Sequence, residues 1–253
     1  MNKTMLIAGK KFPDCSSFAD GVVLANRNVM MAADMGKIKE NSSEVEKYFD
    51  WNENSSLSAR SFILQGENSF GQIDEAVLYF DAVLYSVFFK DFTLENCTRT
   101  ADVLIKGFLY ISYEILTRFR DTFQRSTVKK PGKLVFLLRP CPTKYETVRT
   151  GLKTSGIPVS DLLTAAAAAA FSSFAENFAA TYTEEDFIRI ILARCDNESE
   201  IYRKDTELAA WLCSYLDSLD CEKSESVSKK QSLAWVRSGT KGPAGFNLFF
   251  KTH

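Results

Sequence analysis

The sequence LLTAAAAAAFSSFAENFAATY at residues 162–182, followed by DFIRIILA at 186–193, decides how the chain folds. Six consecutive alanines, 165–170, lead into Phe171, Phe174 and Phe178 at helical spacing. Alanine loses no side-chain freedom in a helix, so the run predicts a strong helix. Its smooth surface also lets a second helix approach closely. DFIRIILA is a continuous apolar run of strand length, and KLVFLL at 133–138, upstream of the helix, is another. Strands that read as unbroken apolar runs are covered on both faces, which is the habit of parallel sheets.

The same alternation extends outward in both directions. Toward the N-terminus, TMLIAG at 4–9 and NVMMAA at 28–33 predict strands around an amphipathic helix at 16–26, and 45–50 predicts a weaker third strand. The polar residues 35–46 suit a loop or short helix. Asn54-Ser55-Ser56 predicts a helix N-cap for a helix that runs to about Phe70 and is ended by Gly71. IDEAVLYF at 73–80 predicts a fourth strand, and residues 93–125 predict a long helix with Val103, Leu104, Phe108, Ile111, Ile115 and Phe119 near 3–4 spacing. Pro131-Gly132 breaks it before the fifth strand, and the polar, Pro-containing segment 139–158 leads into the alanine helix. Beyond the sixth strand come a helix at 206–219, a disorder-like, mobile loop at 220–231, and a last strand, GFNLFF, at 245–250. The expected fold class is α/β: one domain over 1–253, a doubly wound parallel sheet of about seven strands with helices on both faces.

Composition excludes several functions. Of the 253 residues, 45% are apolar and 25% charged, the net charge is −1, and the basic residues are scattered, so neither nucleic acid nor an anionic membrane is the expected partner. No apolar run reaches transmembrane length, and MNKTMLIAGKKF reads as a strand rather than a signal peptide. The six cysteines form no C-x-x-C pair and the only histidine is His253, so no metal site is expected, nor a Ser-His-Asp or Cys-His mechanism. A cytoplasmic protein with reduced thiols is the expected setting.

In order and spacing, five segments resemble the short-chain dehydrogenase/reductase family over nearly the full chain. LSARSFILQGENSFGQIDEAVLYFDA resembles the helix and strand leading to the family's Asn-Asn-Ala-Gly motif, and ADVLIKGFLYISYEILTRF its long fourth helix. GKLVFLL resembles the strand before the catalytic serine, the alanine helix with DFIRIILA the fifth helix and sixth strand, and TKGPAGFNLFF the closing turn and strand. The resemblance implies a Rossmann-like fold and, position by position, a lost chemistry. In the segment matching the family's glycine-rich cofactor loop, AGKKFPDCSSFADG, Gly9 survives, but Phe12, Pro13, Asp14 and Cys15 crowd the phosphate approach. Asp34 matches the acidic residue that would hold the ribose of NAD. The Asn-Asn-Ala-Gly position reads LYFDA at 78–82, the fourth-helix Asn falls at Leu104, and the catalytic Ser near Leu138 or Arg139. The Tyr-x-x-x-Lys pair, general acid/base and its pKa-lowering ammonium, lands on Thr164 and Ala168. Tyr145 and Arg149 form the nearest spaced pair, outside the expected register.

Three functional expectations follow. The first is a catalytically degenerate, cofactor-free protein acting through protein association or as a structural or regulatory subunit. It would be a homo-oligomer, dimer or tetramer, or pair with a paralogue. The family's four-helix interface would then use Leu104, Phe108 and Ile111 of the long helix with Ala166, Ala170 and Phe174 of the alanine helix. The second is an NAD(P)-dependent oxidoreductase with atypical active-site residues. The third is a small-molecule binder that keeps the old substrate cleft, with Arg139 and Lys144 poised for an anion.

Overall fold

The computed structural model describes residues 2–33, 43–151, 158–195, 201–221 and 233–242. Among these, seven strands form one sheet: β1 (Lys3–Phe12), β2 (Arg27–Ala33), β3 (Glu46–Asp50), β4 (Glu75–Asp81), β5 (Gly132–Arg139), β6 (Ile188–Arg194) and β7 (Val236–Arg237). The order is β3-β2-β1-β4-β5-β6-β7 and every pairing is parallel. The chain winds one way from β1 and the other way from β4, so the topological switch lies between the carboxyl ends of β1 and β4. In this architecture ligands bind in that crevice.

Residue parity along the strands divides the core in two. Leu6, Ala8, Met30, Leu78, Phe80 and Phe136 face α2 (Ser56–Phe70), α5 (Gly107–Arg125) and α7 (Leu162–Thr181). Met5, Ile7, Met31, Val77, Tyr79 and Leu137 face α1 (Ser16–Leu24) and α8 (Asp205–Asp220). Both sheet faces are therefore dry, as the unbroken apolar strands require. The alanine helix α7 sets Thr164, Ala167, Phe171, Ala175 and Phe178 toward the sheet. Phe171 is the centre of an aromatic cluster, with ring centroids 4.9 Å from Phe108, 5.1 Å from Phe80 and 5.8 Å from Phe136.

At the amino ends of the strands a second kind of order appears. Arg27 Nε lies 2.7 Å from Glu75, and its Nη2 lies 2.8 Å from Asp217 on α8. Lys3 and Lys133 each reach Asp220 at 2.8 Å, and Lys133 also donates to the Leu216 carbonyl near the end of α8. A cavity of about 160 Å³ lies at this edge, lined by residues that include Lys3, Asp74, Phe119 and Lys130. It is at the opposite end of the sheet from the topological switch, so it is not where this architecture places a ligand.

Several elements depart from the sequence expectation. β1 continues three residues past Gly9, and its register with β2 breaks between Ile7 and Phe12. The long helix 93–125 is three pieces: α4 (Leu94–Ala101), a π-helical turn (Asp102–Lys106) and α5. Two short helices were hidden in the sequence. α3 (Ala82–Phe88) starts directly from β4, its first turn capped by the Asp81 carboxylate, which accepts from the Leu84 N–H at 3.1 Å. α6 (Lys144–Thr150) lies within the segment read as polar and irregular, and carries a reciprocal capping box between Thr143 and Glu146. The seventh strand of the described sheet is Val236–Arg237, which was not expected; the predicted strand at 245–250, the loop residues 222–231 and Asp34 lie outside the described residues.

Candidate functional site

Three apolar strands carry a charge at the carboxyl edge of the sheet. β1 passes through Lys10, β4 ends at Asp81 and β5 at Arg139, with Asp81 and Arg139 in register across the β4–β5 ladder. α8 brings Asp205 from its first turn. Lys10 Nζ lies 2.9 Å from Asp81 Oδ2 and 2.5 Å from Asp205 Oδ2. Arg139 Nη1 lies 3.1 Å from Asp81 Oδ2, and Nη2 2.5 Å from Asp205 Oδ1. The Tyr79 hydroxyl donates to Asp205 Oδ1 at 2.9 Å, and both cations sit over the Tyr79 ring, at 5.1 Å and 5.5 Å. The result is a closed four-charge ring, two cations and two carboxylates, built around one aromatic face.

This ring is buried: the Lys10, Asp81, Arg139 and Asp205 side chains are 7%, 3%, 11% and 9% exposed. Burial penalises each ion by several kcal/mol, and only close, multiply paired geometry offsets it. The titration behaviour follows the same balance. Burial alone would raise the Asp205 carboxyl, but Arg139 and Lys10 outweigh it and hold it below the usual carboxylate value. Burial would lower the Lys10 ammonium, and the two carboxylates outweigh that and raise it. Tyr79 is pushed well above the ordinary phenol value, first by burial and then by Asp81 and Asp205, so it stays a proton donor to Asp205 near neutral pH.

Around the ring, the chain makes further close contacts of its own. Gly9 has φ of 96°, a region that favours glycine, and a Cβ there would lie 2.5 Å from the Tyr79 carbonyl oxygen and 2.7 Å from the Phe108 ring. Tyr85 donates its hydroxyl to the Gly9 carbonyl at 2.7 Å. At the start of α1, where the architecture places a pyrophosphate, the amides of Cys15, Ser16, Phe18 and Ala19 already donate to carbonyls of Lys11, Pro13 and Cys15. Lys11 Nζ reaches Glu53 at 2.8 Å, and Phe12 packs edge-on to Tyr48 with centroids 4.6 Å apart. Both contacts span the end of β2 and join β1 to β3 and the segment after it. Trp51, 1% exposed, stacks on Phe62, and Glu53 packs so close to α5 that a Cβ on Gly107 would meet its Cβ at 2.7 Å.

The expected site residues fall in different places. Arg139 belongs to the buried ring. Thr164 is buried on α7 with no hydrogen-bond partner for its hydroxyl, and Ala168 is half-buried on the same helix. Tyr145 and Arg149 are a surface pair on α6, the guanidinium 5.9 Å from the ring. Arg139 and Lys144 do not make a common anion site: the first is committed to Asp81 and Asp205, and the second is exposed on α6. Of the expected contact residues, Leu104, Phe108 and Ile111 are 2% exposed or less and lie in the protein's own core, because their helix turns that stripe to the sheet. Ala166 is exposed, and Ala170 and Phe174 are half-buried, Phe174 against Phe136 and Phe178. Lys10, Asp81 and Asp205 were not singled out from sequence. The signal that could have found the first two, with Arg139, is three apolar runs each closed by a charge: MLIAGK, VLYFD and VFLLR. Among the described residues no cluster of His, Cys, Asp or Glu could hold a metal ion, and no helix is long and apolar enough to cross a membrane.

No family model matches the chain, and no curated protein matches it in sequence. Solved structures do match. A short chain dehydrogenase from Mycobacterium smegmatis is 16% identical with a TM-score of 0.60, covering 94% of this chain and 92% of that one. A short-chain dehydrogenase/reductase (glucose/ribitol dehydrogenase) from Brucella melitensis is 12% identical with a TM-score of 0.59, and 97% of each chain is covered. The 3-ketoacyl-(acyl-carrier-protein) reductase of the same organism, solved with NADH, is 12% identical with a TM-score of 0.56, covering 96% of this chain and 98% of that one. With its parallel sheet, its strand order and these likenesses across almost its whole length, the chain has the fold of the short-chain dehydrogenases/reductases.

Proposed function

We propose that this oxidoreductase-like fold serves here without dinucleotide chemistry, as a catalytically degenerate protein that acts by associating with another polypeptide. The observation that carries the reading is the buried, charge-neutral ring of Lys10, Asp81, Arg139 and Asp205 at the switch point. A pyrophosphate brought there would need free amide donors and uncompensated positive charge, whereas the amides of Cys15, Ser16, Phe18 and Ala19 are engaged by the chain's own carbonyls and both cations by carboxylates. The residues present do not fit NAD(P). The positions that would carry the acid/base pair, Thr164 and Ala168, offer no ionisable group. Six free thiols support a reducing, cytoplasmic setting.

Titration with NADH and NADPH tests this directly, read by nucleotide fluorescence and by melting temperature. The expected result is no saturable binding up to millimolar nucleotide. Micromolar binding would overturn the proposal and establish the alternative, an NAD(P)-dependent oxidoreductase with relocated residues.

A further inference from the structure

We infer that the corner between α3 and α4 is a self-association surface whose occupant is a second copy of this chain. The inference rests on the association reading above and names its surface and partner. Residues 87–94, VFFKDFTL, contain five large apolar side chains, and only Phe89 is buried. Val87 is 52% exposed, Phe88 53%, Phe92 70% and Leu94 85%. The corner is a built turn. Asn96 Nδ2 and the Thr93 N–H both donate to the Asp91 carbonyl, Thr93 caps α4, and Arg99 lies over the Phe89 ring at 5.4 Å. These contacts hold the backbone of the turn from which Phe92 and Leu94 project.

Area and charge both point to a like partner. Taking about 150–200 Å² for each side chain, the four exposures leave roughly 400–500 Å² of apolar surface. A standard interface buries about 800 Å² per partner, a little over half of it apolar, or roughly 450 Å². One corner per copy therefore supplies the apolar part of a dimer interface. Exposed Lys90 and Asp91 precede Phe92 and exposed Glu95 follows Leu94, with none of the three in a side-chain ion pair among the described residues. A two-fold axis through the apolar row would bring Lys90 of each copy toward the acidic end of the other, where Glu95 follows Leu94, so the surface would complement itself, as an isologous contact requires.

Sedimentation equilibrium of the full chain at micromolar concentration tests the inference. The wild type is expected at twice the monomer mass, and the double variant F92D/L94D at monomer mass, its dissociation constant raised at least about thirtyfold. All four apolar positions are exposed, so the variant's melting temperature is expected to match the wild type and to separate lost pairing from lost folding. Lys90→Glu is expected to weaken the dimer several-fold, and adding Glu95→Lys to restore it; a double variant as weak as the single one would overturn the charge register. A wild-type monomer would overturn the inference. A wild-type dimer untouched by F92D/L94D would overturn this surface and leave association through other faces standing. Nucleotide binding, measured separately, would overturn the cofactor-free reading and leave the mass result unaffected.

Discussion

The two edges of the sheet solve the same problem differently. At both, strand-borne cations meet a carboxylate supplied by α8: Asp205 from its first turn at the carboxyl edge, Asp217 and Asp220 from its last at the amino edge. The Asp217 side chain is 51% exposed and that of Asp220 28%, against 9% for Asp205. At the amino edge the cations also have carbonyls to fall back on, Arg27 reaching the Cys213 oxygen and Lys133 the Leu216 oxygen, where the helix dipole favours positive charge. Water can replace Asp217 there. At the carboxyl edge Lys10 and Arg139 share Asp81 and Asp205, and Asp205 is too deeply buried for water to take its place freely. The edge where this fold binds ligands is thus the one whose cations are paired with the more deeply buried α8 carboxylate.

Four perturbations test that contrast, beginning with the most disruptive. Asp205→Leu leaves Lys10 and Arg139 sharing one buried carboxylate, and is expected to lower unfolding stability by about 3–5 kcal/mol in urea denaturation. Pairing it with Lys10→Met should recover part of that loss, because the second change removes the stranded charge; strict additivity would break the picture of a coupled ring. Gly9→Ala comes next, at about 2–4 kcal/mol, from a Cβ forced against the Tyr79 carbonyl in a conformation with positive φ. A neutral effect on the melting temperature would mean that β1 and β4 are less closely fitted than the geometry has them.

Acid provides a milder probe. The Asp205, Asp217 and Asp220 carboxyls are all held below their ordinary value, each against the opposing effect of burial: Asp205 by Arg139 and Lys10, Asp217 by Lys3 and Arg27, Asp220 by Lys133 and Lys3. A folded pKa below the unfolded one contributes stability that is complete above the unfolded value, about 4, and is lost as pH falls through the folded value. Stability is therefore expected to be flat in this respect at neutral pH and to fall below about pH 4. Half-molar salt should flatten the part of that fall belonging to Asp217 and leave the part belonging to Asp205. Equal salt sensitivity in Asp205→Asn and Asp217→Asn would erase the distinction between the edges. The smallest effect is Asp217→Asn itself, at about 1 kcal/mol or less, since its carboxylate is half in water.

The fold was legible because burial on both faces writes long apolar strands, and because an alanine run has one structural outcome. α3 and α6 were not legible for opposite reasons. The α3 segment AVLYSVF is apolar at nearly every position, so periodicity cannot separate helix from strand, and the cap at Asp81 is its only marker. α6 buries no residue, so no apolar face announces it; the Thr143–Glu146 spacing is the one local sign. Spacing also showed the apolar stripe through Leu104, Phe108 and Ile111 without showing what it faces, and the sheet claims it. The site was legible as missing motifs but not as new contacts. Lys10 meets Asp81 across 71 positions and Asp205 across 195, and Arg139 meets them across 58 and 66. No local pattern carries such distances.

The double anchorage of α8 has a consequence for motion. Sixteen residues at about 1.5 Å each make a rod of roughly 24 Å, riveted to the sheet at both edges and packed along its length by Leu208, Leu212 and Leu216. Such a rod has no free end from which to peel. Its central amides can exchange with solvent only when the whole sheet opens, so their hydrogen-exchange rate reads the global unfolding equilibrium. The amides of α6, with no buried side chain to hold them, open alone and far sooner. Between these two helices the molecule carries its own slow and fast clocks.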